Sequence, residues 1–499
     1  MKKILLGIIT LVSVVVMLFS FTACNKYKWE AVGGTEYSDS VAENNGTVVV
    51  KQGSYLYYVN GVNTTALTAA SENEWGGASV KGSIMKSKIE EDGSLKCLGV
   101  VVPKTFYSGY SNAGLYVYGD WIYYVTRTIR TDNKGTPIDG LEYMRSKTDG
   151  TKTQSIAIVE STSSSYIFTE KGLIYTNESN IYFVGYTDKK VEKEKVLVEE
   201  YTDVEISKEK QMVFFAKASD NELIQSNSIS VILKDGTIKE IIKTNSFTDK
   251  EDEYYLDIAN QFTVDVIKYD AKENVLYYTK KAANAEASVG TYGYKFEDEN
   301  FAFDKANEKQ YAKSALSTVY PLGFEKGLLD YSSTSLVVYK PMTGSDEIKS
   351  DTLTTSSTIN IVKQEGSTIF YLLSNLLYKA DILTQDGDAI NTSAYAEKIS
   401  TATFGSQYGA PVFLDNYVYF ENSAETNYLY RMDLNSYSMT SEITYAKAYI
   451  VSGYKTHTYA EDDEFIINKD DESIKDKVPA YITEADLSTY IDNHKSAKD

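Results

Sequence analysis

The sequence predicts an all-β chain: a β-propeller of four-stranded blades, eight blades favoured and seven next, followed by a short C-terminal helix. Three observations predict it. A unit of apolar strand, short turn and aromatic strand recurs eight times. Asp-Gly turns close the later strands of several units. The 499 residues hold 43 Tyr and 18 Phe but only six Pro.

The units read in order as VVVKQGSYLYY at 48–58, LYVYGDWIYY at 115–124, YIFTEKGLIY at 166–175 and VEISKEKQMVFF at 204–215. VIKYDAKENVLYY at 266–278, YPLGFEKGLLDY at 320–331, INIVKQEGSTIFY at 359–371 and VFLDNYVYF at 412–420 complete the eight. Their aromatic strands centre near positions 57, 123, 174, 214, 277, 329, 370 and 419, a mean spacing of about 52 residues. That spacing suits four-stranded blades with loop insertions. Asp92-Gly93, Asp149-Gly150, Asp235-Gly236 and Asp386-Gly387 mark further strand reversals, because Asp-Gly accepts the positive φ of a tight hairpin. Arg145 in LEYMR and Arg431 in YLYRM stand at matching places after the second and eighth aromatic strands. Trp121 lies within a blade strand and is expected in the core, and Cys97 falls in a strand predicted at 95–101 as a small buried residue. Only 482–493 (ITEADLSTYIDN) has a helical pattern, with Thr483 as cap and Asp486 three residues on. The acidic stretch before it, 461–476, reads as a linker, and Phe465-Ile466-Ile467 within it could add a strand to the last blade. A twisted four-stranded sheet cannot bury both faces alone, whereas radial stacking lets each blade cover its neighbour, with aromatic rings filling the wedge.

The amino terminus has a different logic. Met1-Lys2-Lys3 precedes an apolar run at 4–21, the pattern of a secretion signal. Phe21-Thr22-Ala23-Cys24 resembles the lipobox of bacterial lipoproteins, which implies cleavage before Cys24, acylation of its thiol and residence on the outer face of the bacterial cytoplasmic membrane. The expected plan is a signal peptide at 1–23, a lipidated tether at 24–45, the propeller at 46–447 and an acidic C-terminal segment at 448–499. Loss of Lys2 and Lys3 would leave 48 basic against 70 acidic residues, a charge of −22. Such a chain is repelled by anionic headgroups, so attachment would rest on acyl chains. The same charge argues against nucleic acid as a partner.

The strands Tyr123-Tyr124-Val125-Thr126 and Tyr277-Tyr278-Thr279-Lys280, with the following Leu-Tyr-Arg and Asp-Gly, resemble propeller repeats of bacterial surface lipoproteins. More loosely they are similar to the Tyr-Trp-Thr-Asp propellers of low-density-lipoprotein receptors, although no Asp follows Thr126 or Thr279. The resemblance spans about 47–446 and implies a propeller used for recognition; it transfers no catalytic residue.

The search for chemistry returns mostly absences. Two histidines, His457 and His494, leave little for a nucleophile–base pair. No H-E-x-x-H, paired C-x-x-C or phosphate-loop motif occurs, so no cofactor and no metal centre are expected. The acidic loops at Asp132-Asn133 and Glu297-Asp298-Glu299-Asn300 do not match an EF-hand. On the first strands, Asp203, Glu205 and Asp265 are the carboxylates expected near the channel, where a pair could serve acid–base work on a glycan. Glu74 and Trp75 sit in a long insertion with no repeat role, so Trp75 is the candidate stacking face for a sugar or partner protein, with Tyr292 and Tyr294 as weaker candidates of the same kind. The expected function is a monomeric, membrane-anchored binding or scaffolding module for an envelope polymer, glycan or protein. The alternative is an extracellular glycosidase or polysaccharide lyase. A solute-capture lipoprotein is disfavoured, because strand–helix alternation is absent.

Overall fold

The structure, a computed structural model, describes residues 37–60, 448–453 and, between them, the strands and turns of 83–436, apart from connecting intervals of which 103–113, 219–226, 243–261 and 384–396 are the longest. Eight antiparallel sheets follow one another along the chain. Blade 1 is β1–β4 (Val49–Gln52, Tyr55–Asn60, Ser83–Ile89, Leu95–Val102), and blade 2 is β5–β8 (Tyr116–Tyr118, Trp121–Arg127, Leu141–Lys147, Thr153–Val159). Blade 3 is β9–β12 (Tyr166–Phe168, Gly172–Asn177, Asn180–Gly185, Lys195–Val198), and blade 4 is β13–β16 (Tyr201–Ser207, Met212–Ala218, Asn227–Ile232, Ile238–Ile242). Blade 5 is β17–β20 (Phe262–Asp270, Val275–Ala282, Gly290–Lys295, Glu308–Ala312). Blade 6 is β21–β24 (Val319–Gly323, Gly327–Ser332, Ser335–Thr343, Asp346–Lys349), with β25 (Leu353–Thr354) as a second partner of β23. Blade 7 is β26–β29 (Ile359–Glu365, Thr368–Leu373, Leu376–Asp381, Glu397–Thr403), and blade 8 is β30–β33 (Val412–Leu414, Tyr417–Glu421, Tyr428–Asp433, Ala448–Gly453).

The chain is an eight-bladed β-propeller of four-stranded blades, as the repeats predict. Every aromatic strand read from the sequence is the second strand of a blade. It is paired on both edges and covered on both faces, so it reads as a continuous apolar run rather than an alternating one. Tyr57 and Tyr58 of β2, Phe214 of β14 and Tyr277 and Tyr278 of β18 have no exposed surface. The buried side chains group by the interfaces between neighbouring blades; one such cluster joins Val49, Tyr57 and Met85 of blade 1 to Val412, Leu414 and Leu429 of blade 8. Gly93, Gly150 and Gly236 adopt φ of +78°, +74° and +84°, so three of the Asp-Gly pairs are the reversals between third and fourth strands. Asp386-Gly387, the helix at 482–493 and the 461–476 segment lie outside the described residues. Among those described, only two short 3-10 turns depart from β structure and loop. The ring runs past the expected boundary at 447, because β33 pairs with β32 to complete blade 8.

Each blade is a contiguous stretch of chain, and among the described residues no main-chain ladder joins blade 8 to blade 1. Side chains close the ring instead, with a device used elsewhere in it. In blade 2 the second strand opens on Trp121 and the third places Arg145 opposite Tyr123. The Arg145 guanidinium lies 4.1 Å from the Trp121 ring centre and donates to the Thr187 carbonyl of blade 3 at 2.7 Å. In blade 8 the second strand opens on Tyr417 and the third places Arg431 opposite Tyr419. Arg431 lies 4.4 Å from the Tyr417 ring centre and donates to the Gly93 carbonyl of blade 1 at 2.8 Å. Blade 1 repeats the pattern with Tyr55, Tyr57 and the fully buried Lys86. A flat aromatic ring accepts a desolvated cation on its face, and the cation's N–H groups remain free to satisfy a carbonyl of the next blade.

Candidate functional site

Sequential antiparallel strands give the ring two unlike ends. All first-to-second-strand turns fall at one end, and they are two to four residues long in all eight blades. Second-to-third connections fall at the other end and run from two residues, as at 178–179, to 22 at 61–82, with 13 at 128–140. The links between blades share that end, 19 residues at 243–261 among them. The channel is thus rimmed by tight turns at one mouth and by long, uneven connections at the other. The tight-turn end carries longer connections only at its periphery, up to 15 residues at 382–396 in blade 7.

The first strands of blades 4 and 5 bring together the carboxylates nominated from sequence. Asp203 and Glu205 are two residues apart on β13, which puts them on one face, and Asp265 lies on the neighbouring first strand, β17. The Asp203 carboxylate accepts the Val204 N–H at 2.9 Å. Burial pushes its pKa above the ordinary carboxylate value, the charge of Asp265 pushes the same way, and the amides of Val204 and Val266 oppose. Glu205 is paired across the blade boundary with Lys268 at 2.9 Å, and Asp265 is paired with Lys281 of β18. Alternating carboxylates and ammonium groups make a wall that can hydrogen-bond the hydroxyls of a polar ligand. The surroundings of Asp203 shift its carboxyl toward the protonated, donor form. Among the described residues, no three His, Cys, Asp or Glu side chains converge where they could hold a metal ion.

Lys208, in the β13–β14 turn beside this wall, escaped sequence reasoning because a Lys-Glu-Lys turn is indistinguishable from solvated surface. It reaches Gly46, before the first strand of blade 1, and donates to its carbonyl at 2.6 Å. The side chain keeps solvent access although protein surrounds it, as a group in a channel does, and this enclosure, with the charge of Lys268 second, lowers its ammonium pKa. A second recess, a cavity of about 360 Å³, lies between blades 3 and 4 against Val196, Phe215, Lys217, Ser230 and Ile238.

The remaining nominated residues separate. Tyr292 and Tyr294 belong to β19, not to a loop, and are 5% and 0% exposed. Tyr292 stacks on Tyr278 with ring centres 5.9 Å apart, and the Tyr294 hydroxyl donates to the Ala302 carbonyl at 2.7 Å. Their insertion is shorter than expected because the Gly-Thr-Tyr-Gly-Tyr segment pairs with β18 from Lys280 onward. Both faces a sugar would stack on are therefore taken up by the protein's own core. Glu74, Trp75, Cys24, Asp132, Asn133, Glu299, His457 and His494 lie outside the described residues; the interval holding Glu74 and Trp75 links β2 to β3, so it leaves blade 1 at the long-connection end. Trp121 is core as expected, at 2% exposure. In the acidic loop, Asp298 caps the Asn300 amide at 2.9 Å. The run at 4–21 is also outside the described residues, and among those described no helix is long and apolar enough to cross a membrane.

No protein-family model and no curated protein matches the sequence. Solved structures with a similar course of chain include the β-propeller domain of the Trilobed protease from Pyrococcus furiosus, at 8% identity and a TM-score of 0.33, covering 80% of this chain and 94% of that one. AztD from Citrobacter koseri, in its apo form, has 10% identity and a TM-score of 0.31, covering 72% and 92%. TolB from Acinetobacter baumannii has 12% identity and a TM-score of 0.23, covering 66% and 78%. At such scores the assignment of the fold rests on this chain's own strand order and register.

Proposed function

We propose that the chain is a lipid-anchored, extracytoplasmic propeller that binds or scaffolds an envelope polymer, glycan or partner protein through the long connections at one end of its channel. The observation that carries this reading is the ring's polarity. Ser38, at the start of the described chain, lies against Gly53 in the first tight turn, so the amino-terminal segment joins the ring at the tight-turn end. Cys24 precedes Tyr37 by 13 residues, a contour of at most about 45 Å. An anchor at Cys24 thus attaches to one end, while the connections that vary in length, Trp75's among them, collect at the other. Variable loops on a rigid scaffold are where recognition is expected to reside. The resemblance to surface-lipoprotein repeats points the same way, and acyl chains would hold a body whose charge opposes anionic lipid.

Two experiments test the reading. In a bacterial host, Cys24→Ala should move the protein from the membrane fraction to the medium and abolish fatty-acid labelling; retention with unchanged labelling would refute the anchor. Fluorescence titration of the purified protein against cell-wall and plant glycans tests the site. Trp75→Ala should weaken binding about tenfold or more, as loss of a stacked aromatic does. An unchanged affinity removes Trp75 from the site. The second reading, a glycosidase or lyase, has the raised pKa of Asp203 beside Asp265 in its favour. Turnover of any glycan, lost in Asp203→Asn, would shift the assignment to it.

A further inference from the structure

Residues 37–47 belong to no blade, yet they touch four. Glu43 and Lys51 exchange both backbone hydrogen bonds, at 2.8 and 3.2 Å, on the edge of β1 that faces away from β2. The Asn45 side chain both accepts the Val117 N–H at 2.8 Å and donates to the Val117 carbonyl at 3.3 Å, in the first strand of blade 2. The Gly46 amide donates to the Leu115 carbonyl at 2.6 Å. The Asn44 side-chain amide donates to the Phe413 carbonyl of blade 8 at 2.7 Å, and Lys208 adds blade 4.

We infer that this segment is a strap that opens as a unit, independently of the blades, and that Lys208 is the bolt that holds it across the channel. The attachments just described are polar and few. Val41 is 86% exposed and Tyr37 42%, whereas Val49 and Val50, which follow in β1, are fully buried. An element held mainly by polar contacts, with little buried apolar surface, is the kind that opens below the global unfolding free energy. At the bolt, Gly46 has φ +83°, and a Cβ there would lie 2.5 Å from Lys208 Cδ and 2.8 Å from Tyr116 Oη. The close approach that lets the ammonium reach the carbonyl therefore depends on glycine, in conformation and in bulk. The charged group that acts on the bolt is Lys268, and the neighbouring first-strand acids are engaged elsewhere. Glu205 is engaged by Lys268 and Asp265 by Lys281, while Asp203 takes its hydrogen bond from the Val204 amide. Opening would clear the channel and the inner edge of β1, so the strap would act as its gate. The gating role, unlike the opening, rests on the binding function proposed above.

Hydrogen exchange on the full chain tests the strap. In the wild type, the amides of Glu43, Gly46 and Lys51 should exchange at least about tenfold faster than those of Val231 and Leu276 in blade centres. Similar rates would overturn the independent opening, even if no variant folds. Lys208→Met keeps the apolar stem and removes the donor, so strap exchange should rise about tenfold while Val231 and Leu276 stay unchanged. No change at the strap, or the same acceleration everywhere, would refute the bolt. Failure of every glycan to bind would leave these rates untouched, so the two proposals fail separately.

Discussion

Removal of Arg145 should be among the most damaging single changes to this ring. Arg145 is 1% exposed, and its guanidinium donates to Gln154 Oε1 at 2.9 Å and to the Thr187 carbonyl at 2.7 Å. It also lies over Trp121 at 4.1 Å and beside Tyr186 at 5.3 Å. Two hydrogen bonds from a charged donor are worth about 1.5–3 kcal/mol each in gross terms, and a desolvated cation–π contact about 2 kcal/mol. The cost of burying the charge offsets part of that sum, so Arg145→Ala should destabilise by about 3–5 kcal/mol, including the unsatisfied Thr187 carbonyl. Urea unfolding gives the check: with a slope near 3 kcal/mol/M, the midpoint should fall by about 1–1.7 M at unchanged slope. Arg145→Lys keeps a cation near Trp121 but loses the forked geometry, and should recover about half of the loss. Arg431→Ala removes one carbonyl contact and one ring contact at a less enclosed site, for about 1–2 kcal/mol. A midpoint shift below about 0.2 M for Arg145→Ala would refute the clip as an element of stability.

The buried pair in blade 5 makes a second case. Lys280 and Glu308 are 2.9 Å apart with side chains 7% and 3% exposed, and the Tyr278 hydroxyl also donates to Glu308. Glu308→Gln should cost about 3–5 kcal/mol in thermal or urea unfolding, because it removes the carboxylate charge beside a buried ammonium. Lys280→Met with Glu308→Leu should restore all but about 1–3 kcal/mol, the cost of stranding the Tyr278 hydroxyl; a double variant no better than the single would contradict this. Asp203 gives a pH signature. Its folded pKa lies above the unfolded value of 3.8, so ionisation is a net cost to the fold at neutral pH, and that cost is relieved as pH falls through the folded pKa. Asp203→Asn should therefore raise the melting temperature at pH 7, with the gap to wild type closing as pH falls toward 3.8. A constant gap would mean that the carboxyl is not perturbed by burial.

The ring was legible in the sequence because its information is local and repeated. An Ar-x-Ar strand such as Trp121-Ile122-Tyr123 or Tyr417-Val418-Tyr419 states that a strand is flanked on both sides, and Asp-Gly states where the chain reverses. The matching positions of Arg145 and Arg431 were visible too, although not the reason, since each reaches a carbonyl 42 or more residues away in the chain. The site was less legible for the same cause. Glu205 and Asp265 could be named as first-strand acids, but their lysine partners come from β17 and β18, at distances along the chain that no motif encodes. Tyr292 and Tyr294 misled because a Gly-rich aromatic segment reads equally as an exposed loop or as a strand whose glycine makes room for a neighbour's ring. Gly293, packed against Tyr277 and Tyr311, shows which it is. The tether misled at its inner end, where Glu43, Asn44 and Asn45 read as polar linker but spend their hydrogen-bonding groups on the first strands of blades 1, 2 and 8.

That last point bears on how such a ring stays shut. A propeller that interleaved its first and last strands in one blade would close by a ladder of main-chain bonds, and opening would require breaking them together. Here blades 1 and 8 are each complete, so among the described residues closure rests on the shared apolar cluster, on Arg431 reaching Gly93, on Lys51 paired with Asp415 at 2.9 Å, and on Asn44 reaching Phe413. Two of these four ties run through the residues beside the amino-terminal strap: Asn44 is part of it, and Lys51 holds Glu43. Strap and seam are thus coupled, and a change that frees the strap should weaken the junction between blades 8 and 1 before any other. Arg431→Ala combined with Lys208→Met should accordingly destabilise more than the sum of the two single changes. The same comparison for Arg145→Ala with Lys208→Met, at the junction of blades 2 and 3, whose guanidinium tie to Thr187 involves no strap residue, should be additive within about 0.5 kcal/mol.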